Sequence, residues 1–164
     1  MSGPPNASQG APQGAPQSGP QSGPQSGFQK LPPNLPQSLA ANPSLDRWVR
    51  FLPGGRVSLG YGKVEYGQGT GTSLAQIGAE ELDIDMGRVV FEEPRTGLTA
   101  DEGLTVGSMS TESSGASVRV ACAEVRALFL THAAGVLACA HEELSVRDGA
   151  IVRAGRPCGL DYWS

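Results

Sequence analysis

The sequence predicts an α/β (α+β) fold, a small sheet with two main helices packed on it, behind a disordered N-terminal tail. Three observations carry this expectation. Extended and helical patterns alternate over residues 39–164 in the order strand, helix, strand, helix, hairpin. Two glycine-rich corners stand where extended chain hands over to a helix. Nine of the 13 prolines fall within the first 36 residues, where Lys30 is the only charged side chain before Asp46.

The tail, residues 1–38, comes first. Residues 10–29 repeat a four-residue unit, Gly-Ala-Pro-Gln twice, Ser-Gly-Pro-Gln twice and Ser-Gly-Phe-Gln once. Proline forbids helix interiors and removes ladder donors. Alternating glycine makes ordering costly in entropy, with almost no apolar side chain to offset it. The expectation is a disordered tether leaning to polyproline II. A role as a proline-rich ligand lacks the flanking Arg or Lys.

From Leu39 the composition becomes that of one globular domain of modest core. Residues 44–52 lead into a Pro53-Gly54-Gly55 turn, and Arg56–Tyr61 alternates polar and apolar, so a strand pair closes through the turn. Lys63–Tyr66 continues extended to the first corner, Gly67-Gln68-Gly69-Thr70-Gly71-Thr72. Leu74, Ile77, Gly78, Glu81 and Leu82 then follow helical spacing with Thr72 as N-cap, and Asp83-Ile84-Asp85 ends that helix. Arg88–Glu92 is a short strand stopped by Pro94. The second corner runs from Thr96 to Ser110 into the longest helix, about 111–140, whose stripe is Val118, Ala121, Cys122, Val125, Leu128, Phe129, His132 and Val136. His132 on that stripe is expected to be packed. Leu144–Val146 and Ile151-Val152 form a hairpin across Asp148-Gly149.

Bulk properties exclude several classes. The net charge is −4 and no basic stripe occurs, against nucleic-acid binding. No run of 18 apolar residues occurs, so no membrane span is expected. The N-terminus has no positive start and no apolar stretch of secretory type. Three cysteines, Cys122, Cys139 and Cys158, make no disulfide framework and imply reduced thiols in a cytoplasm.

Both corners offer the same physical opportunity. Free backbone N–H groups at a helix start favour an anion, and glycine lets a ligand approach the backbone closely. Gln68 adds an amide that both donates and accepts. Two such corners suggest a phosphate-bearing ligand, although on spacing alone both could be plain helix caps. A dinucleotide fingerprint fails because the third glycine is misplaced and no acidic strand end follows. A P-loop fails because Val64 stands where Ser or Thr is needed.

Three ordered blocks, Gly62–Gly69, Ala75–Leu82 and Asp101–Ser110, with the lead-in Leu35–Pro43, make residues 31–162 resemble the molybdopterin-binding subunit of the xanthine dehydrogenase/aldehyde oxidase family, in its nicotinate dehydrogenase and isoquinoline 1-oxidoreductase branch. The resemblance implies that residues 39–164 are part of a molybdenum-cofactor-binding domain. It also implies that two turns hold the pterin and its phosphate arm, largely through backbone N–H groups. Those turns are Tyr66, Gly67, Gln68 and Gly69, and Gly107, Ser108, Met109 and Ser110. Gln68 would hydrogen-bond the cofactor. Tyr66 departs from the usual aliphatic residue or Met at its position.

Such enzymes hydroxylate an aromatic N-heterocycle or an aldehyde with oxygen from water, using a glutamate base in a Gly-x-Gly-Glu segment. That segment and the family's Gly-Gly-Gly-Phe-Gly loop do not occur here, so no catalytic residue and no metal ligand is assigned. Glu92-Glu93 on an early strand is expected to be solvated. The chain stops at Asp161–Ser164 where relatives continue, which suggests a split subunit or a truncated product that cannot act alone. Its implied partners are the remaining molybdopterin-binding portion and a [2Fe-2S] subunit carrying the iron–sulfur clusters, with a small-molecule substrate. The long helix should expose an apolar face. The competing reading is a non-catalytic degenerate domain that serves as an interaction or assembly protein.

Overall fold

The turn at Pro53-Gly54-Gly55 closes a hairpin of β1 (Val49–Leu52) and β2 (Arg56–Leu59), with Phe51 opposite Val57. A computed structural model describes Met1 and residues 34–107 and 109–164; the repeat tail and Ser108 lie outside the described residues. A short helix α1 (Gln37–Ala41) precedes the hairpin, so the tail boundary expected at residue 38 falls inside a helix. Leu39 of α1 is buried, and Ser38 Oγ lies 3.2 Å from Ser113 Oγ.

Beyond β2 the chain crosses through the first corner and α2 (Thr70–Leu82) to β3 (Val89–Phe91), which pairs parallel to β2. The corner therefore sits outside the carboxyl end of β2, where open sheets of this kind leave room for ligands. Leu74, Ala75, Gly78, Ala79 and Leu82 form the buried face of α2. A Cβ on Gly78 would stand 2.4 Å from Leu59 Cδ1, so the bare glycine sets how closely α2 lies on β2. The N-cap is Gly69, not Thr72: Gly69 takes a left-handed φ of 74°, and the helix starts three residues earlier than its hydroxyl pattern suggests.

α3 (Ser110–Leu137) packs along α2, where a Cβ on Gly115 would stand 3.0 Å from Ile77 Cδ1, and its buried residues include the small Ser114, Ser117 and Ala121. By length and composition α3 is apolar enough to cross a membrane, contrary to the expectation from uninterrupted apolar runs; here it packs on α1, α2, β1 and β4. Its expected stripe holds through Val118, Ala121, Cys122 and Val125, with Phe129 half-buried, and then turns. Leu128, His132 and Val136 face solvent, while Leu130, Ala133 and Ala134 are buried. The cause is the mismatch between the 13 residues of α2 and the 28 of α3. Past the end of α2, the C-terminal strands cover a different side, where Phe129 meets Tyr162 at 5.0 Å between ring centroids. Cys139 lies beyond the helix end, and burial pushes the Cys122 thiol pKa up.

The C-terminal hairpin is larger than expected. β4 (Leu144–Arg147) and β5 (Ala150–Arg153) are joined by β6 (Arg156–Asp161) in a separate antiparallel sheet. Proline at 157 and glycine at 159 hide β6 from a propensity reading. Side chains of this sheet and of the two residues after it tie it to β2, α2 and the turn before β3. The Arg88 guanidinium grips Asp148 at 2.8 and 2.7 Å, Trp163 Nε1 donates to Arg56 O at 2.9 Å, and Tyr162 Oη donates to Leu82 O at 3.0 Å.

Candidate functional site

Glu65, two residues ahead of the first corner, organises it. One carboxylate oxygen, Oε1, accepts from Gly67 N at 2.7 Å and Gly69 N at 3.0 Å, and Oε2 accepts from Gly71 N at 3.0 Å. These bonds, led by that from Gly71, hold the Glu65 carboxyl below its ordinary pKa. Gly67 and Gly69 have φ of 94° and 74°, a conformation that side chains disfavour, and nothing stands within 4 Å of a Cβ built on either. The expectation of free amides at this corner therefore fails for Gly67 and Gly69, because the chain supplies its own anion.

Gln68 is fastened at both ends of its amide. Its Oε1 accepts from Tyr66 N at 2.5 Å and its Nε2 donates to Val64 O at 3.0 Å. An amide offers two N–H donors and two lone pairs, so one of each remains for a ligand. The Tyr66 side chain is exposed beside it.

The second corner is drawn to the first by side chains distant in sequence. Lys63, itself buried, donates Nζ to Glu102 O at 2.8 Å and Leu104 O at 3.0 Å. Val64 N donates to Thr105 Oγ1 at 2.8 Å, and Gly62 N donates to Glu102 Oε2 at 2.8 Å. Asn42 grips Asp101 from the other side, donating to its carbonyl at 2.8 Å and accepting from its N–H at 3.0 Å. The backbone carbonyl of Asn42 accepts from the buried Trp48 Nε1 at 2.8 Å. Residues 35–43 thus matter as a brace.

The two corners meet in a cleft of about 510 Å³ lined by Tyr66, Gln68 and Thr70 on one side and Thr105, Gly107 and Ser110 on the other. Four of the expected site residues, Tyr66, Gln68, Gly107 and Ser110, line this space. Gly67 and Gly69 instead line an adjoining hollow of about 720 Å³ with Tyr61, Lys63 and Glu65. Met109 is the exposed N-cap of α3, and Ser108 lies outside the described residues. Glu92 is not simply solvated, since it forms an ion pair with Arg50. Sequence reasoning missed Glu65, Lys63 and Asn42; for Glu65 a signal existed, a carboxylate preceding three glycines at alternate positions.

The cleft suits a polar ligand with a flat edge: one free N–H and lone pair on Gln68, the Ser110 hydroxyl, and bare backbone at Gly107. The self-filled first corner does not offer its Gly67, Gly69 and Gly71 amides to a phosphate.

A family model for the molybdopterin cofactor-binding domain matches residues 28–162. A nicotinate dehydrogenase subunit from Pseudomonas putida is 33% identical over 126 residues, covering 74% of this chain and 11% of that protein. The crystal structure of quinoline 2-oxidoreductase from Pseudomonas putida 86 superposes with a TM-score of 0.56 at 28% identity, over 65% of this chain and 14% of that one. Reconstituted CO dehydrogenase from Oligotropha carboxidovorans gives a TM-score of 0.58 at 32% identity, over 66% of this chain and 14% of that one. The chain thus spans only a small share of the length of the relatives it matches. It belongs to the molybdopterin cofactor-binding domain family of the molybdenum hydroxylases.

Proposed function

We propose that this chain provides one wall of a molybdenum–molybdopterin site in a hydroxylase that oxidises an aromatic N-heterocycle or an aldehyde with oxygen from water. The observation that carries this reading is the cleft that unites Gln68 with Gly107 and Ser110. When bound, the cofactor supplies the redox chemistry. The chain's own residues hold it: Gln68 hydrogen-bonds it through the unspent half of its amide. Gly107 keeps backbone close to it and Ser110 opens α3 beside it behind the N-cap Met109, while Gly67 and Gly69 shape the turn that carries Gln68. Tyr66 and Val106, both exposed here, would shield it from water once covered.

In this reading the site is completed by the remaining portion of a molybdopterin-binding subunit, and a [2Fe-2S] subunit carries electrons away in the cytoplasm. The exposed apolar side chains at the second corner, Leu104, Val106 and Met109, are consistent with a surface that such a partner covers. Co-expression with the molybdopterin-binding large subunit and the [2Fe-2S] subunit of a family member tests this. Co-elution with molybdenum in the purified complex is the expected result. A chain that elutes alone and leaves the partner's molybdenum content unchanged would refute it.

A further inference from the structure

Gly69 and Gly71 carry amides at the start of α2 that would suit an anion, and Gly67 carries one in the turn just before it, yet all three donate to Glu65. Three of the four lone-pair sites of that carboxylate are thereby used. Between these bonds sits Gln68, whose own amide spans Tyr66 N and Val64 O. The two side chains interlock over one turn, so the direction of Gln68 depends on where Glu65 holds the glycines.

Resting on the cofactor reading above, we propose that Glu65 is a positioning residue: it closes the first corner to outside anions and fixes the turn so that Gln68 presents its free N–H and lone pair to the cleft. The first corner then receives an uncharged hydrogen-bonding edge of the ligand, and a phosphate is refused there. A phosphate placed on these amides would have to displace the carboxylate or lie against it, and like charges at contact repel. Tyr61, Lys63, Glu92 and Glu93 line the same hollow as Glu65. Among them Lys63 is the one cation, and its ammonium is already directed at Glu102 O and Leu104 O.

The test uses the full chain, labelled with ¹⁵N and without cofactor, so its outcome is independent of molybdenum content. Inorganic phosphate should leave the Gly67, Gly69 and Gly71 amide resonances of the wild type unmoved. Acidification should move all three together, with a midpoint below the ordinary carboxylate range. Glu65→Gln should abolish that shared acid response, which separates Glu65 from Glu92 and Glu93. Glu65→Ala should make the same three amides respond saturably to phosphate and should shift the Gln68 side-chain NH₂ resonances. A saturable phosphate response in the wild type, or three amides that ignore acid, would overturn the proposal. So would a folded Glu65→Ala chain whose corner ignores phosphate. If Glu65→Ala does not fold, the wild-type and Glu65→Gln arms decide. Loss of molybdenum on Gln68 substitution with these arms failing would sink the Glu65 proposal alone; the reverse would sink the cofactor reading alone.

Discussion

The first corner is held by residues within itself, and the second is held by residues from elsewhere in the chain. Glu65 and Gln68 satisfy the backbone of the first across spans of two to six residues. Asp101, Glu102, Leu104 and Thr105 of the second depend on Asn42, Lys63 and Val64, between 39 and 59 residues away. A glycine-rich stretch before a helix can therefore be either a self-sufficient turn or a loop shaped by the fold around it. Only the first kind keeps its shape when distant contacts are lost.

The largest effect that separates the two comes from Asn42→Ala. It removes three partly buried hydrogen bonds, to the carbonyl and N–H of Asp101 and to Ser38 O, and should cost about 2–4 kcal/mol at about 0.5–1.5 kcal/mol each. A urea titration reads the loss, and the Gly67–Gly71 amides should keep their wild-type shifts. Lys63→Met should follow at about 1–3 kcal/mol, because two carbonyls lose a shared charged donor while the apolar stem is retained. Hydrogen exchange should quicken around residues 102–105 and stay unchanged at Gly67 and Gly69. Equal quickening at both corners would erase the distinction between them.

Acid acts in the opposite sense, on the first corner and on the latch of the second sheet. Glu65 is held below its ordinary pKa by the N–H of Gly71 foremost, Asp148 by the Arg88 guanidinium, and Glu143 by Arg153. All three carboxyls bind protons less readily folded than unfolded. The stability they contribute is complete above the ordinary carboxylate range and drains away as pH falls through their lowered folded values. A series of urea midpoints should be level near neutrality and decline below about pH 4. A midpoint that rises on acidification would contradict these assignments. The smallest effect belongs to His132→Ala, at an exposed helix position, which should change stability by less than about 0.5 kcal/mol.

Much of this was legible in the sequence because it is local. The Pro-Gly-Gly turn announces β1 and β2, apolar spacing marks α2, and Asp148-Gly149 marks the turn between β4 and β5. The misplaced elements depend on neighbours. His132 lies on a good apolar stripe and still faces solvent, since nothing in its own spacing says that α2 ends before α3 does. β6 carries a proline and a glycine that an edge strand tolerates. At the site, Tyr66, Gln68, Gly107 and Ser110, drawn from two separate motifs, line one cleft. What those motifs could not say is that the glycine amides already hold a carboxylate, or that Asn42 and Lys63 tie the corners together.

If the cleft joining the two corners holds the cofactor with Gln68 as its hydrogen-bonding side chain, the molybdenum content per chain of the co-purified complex must differ between wild type and Gln68→Ala. Loss of one ligand hydrogen bond from a desolvated site, about 1–3 kcal/mol, predicts roughly a tenfold weaker hold on the cofactor and substoichiometric metal after gel filtration. Molybdenum content equal to that of the wild type, in a complex that assembles normally, would contradict the claim.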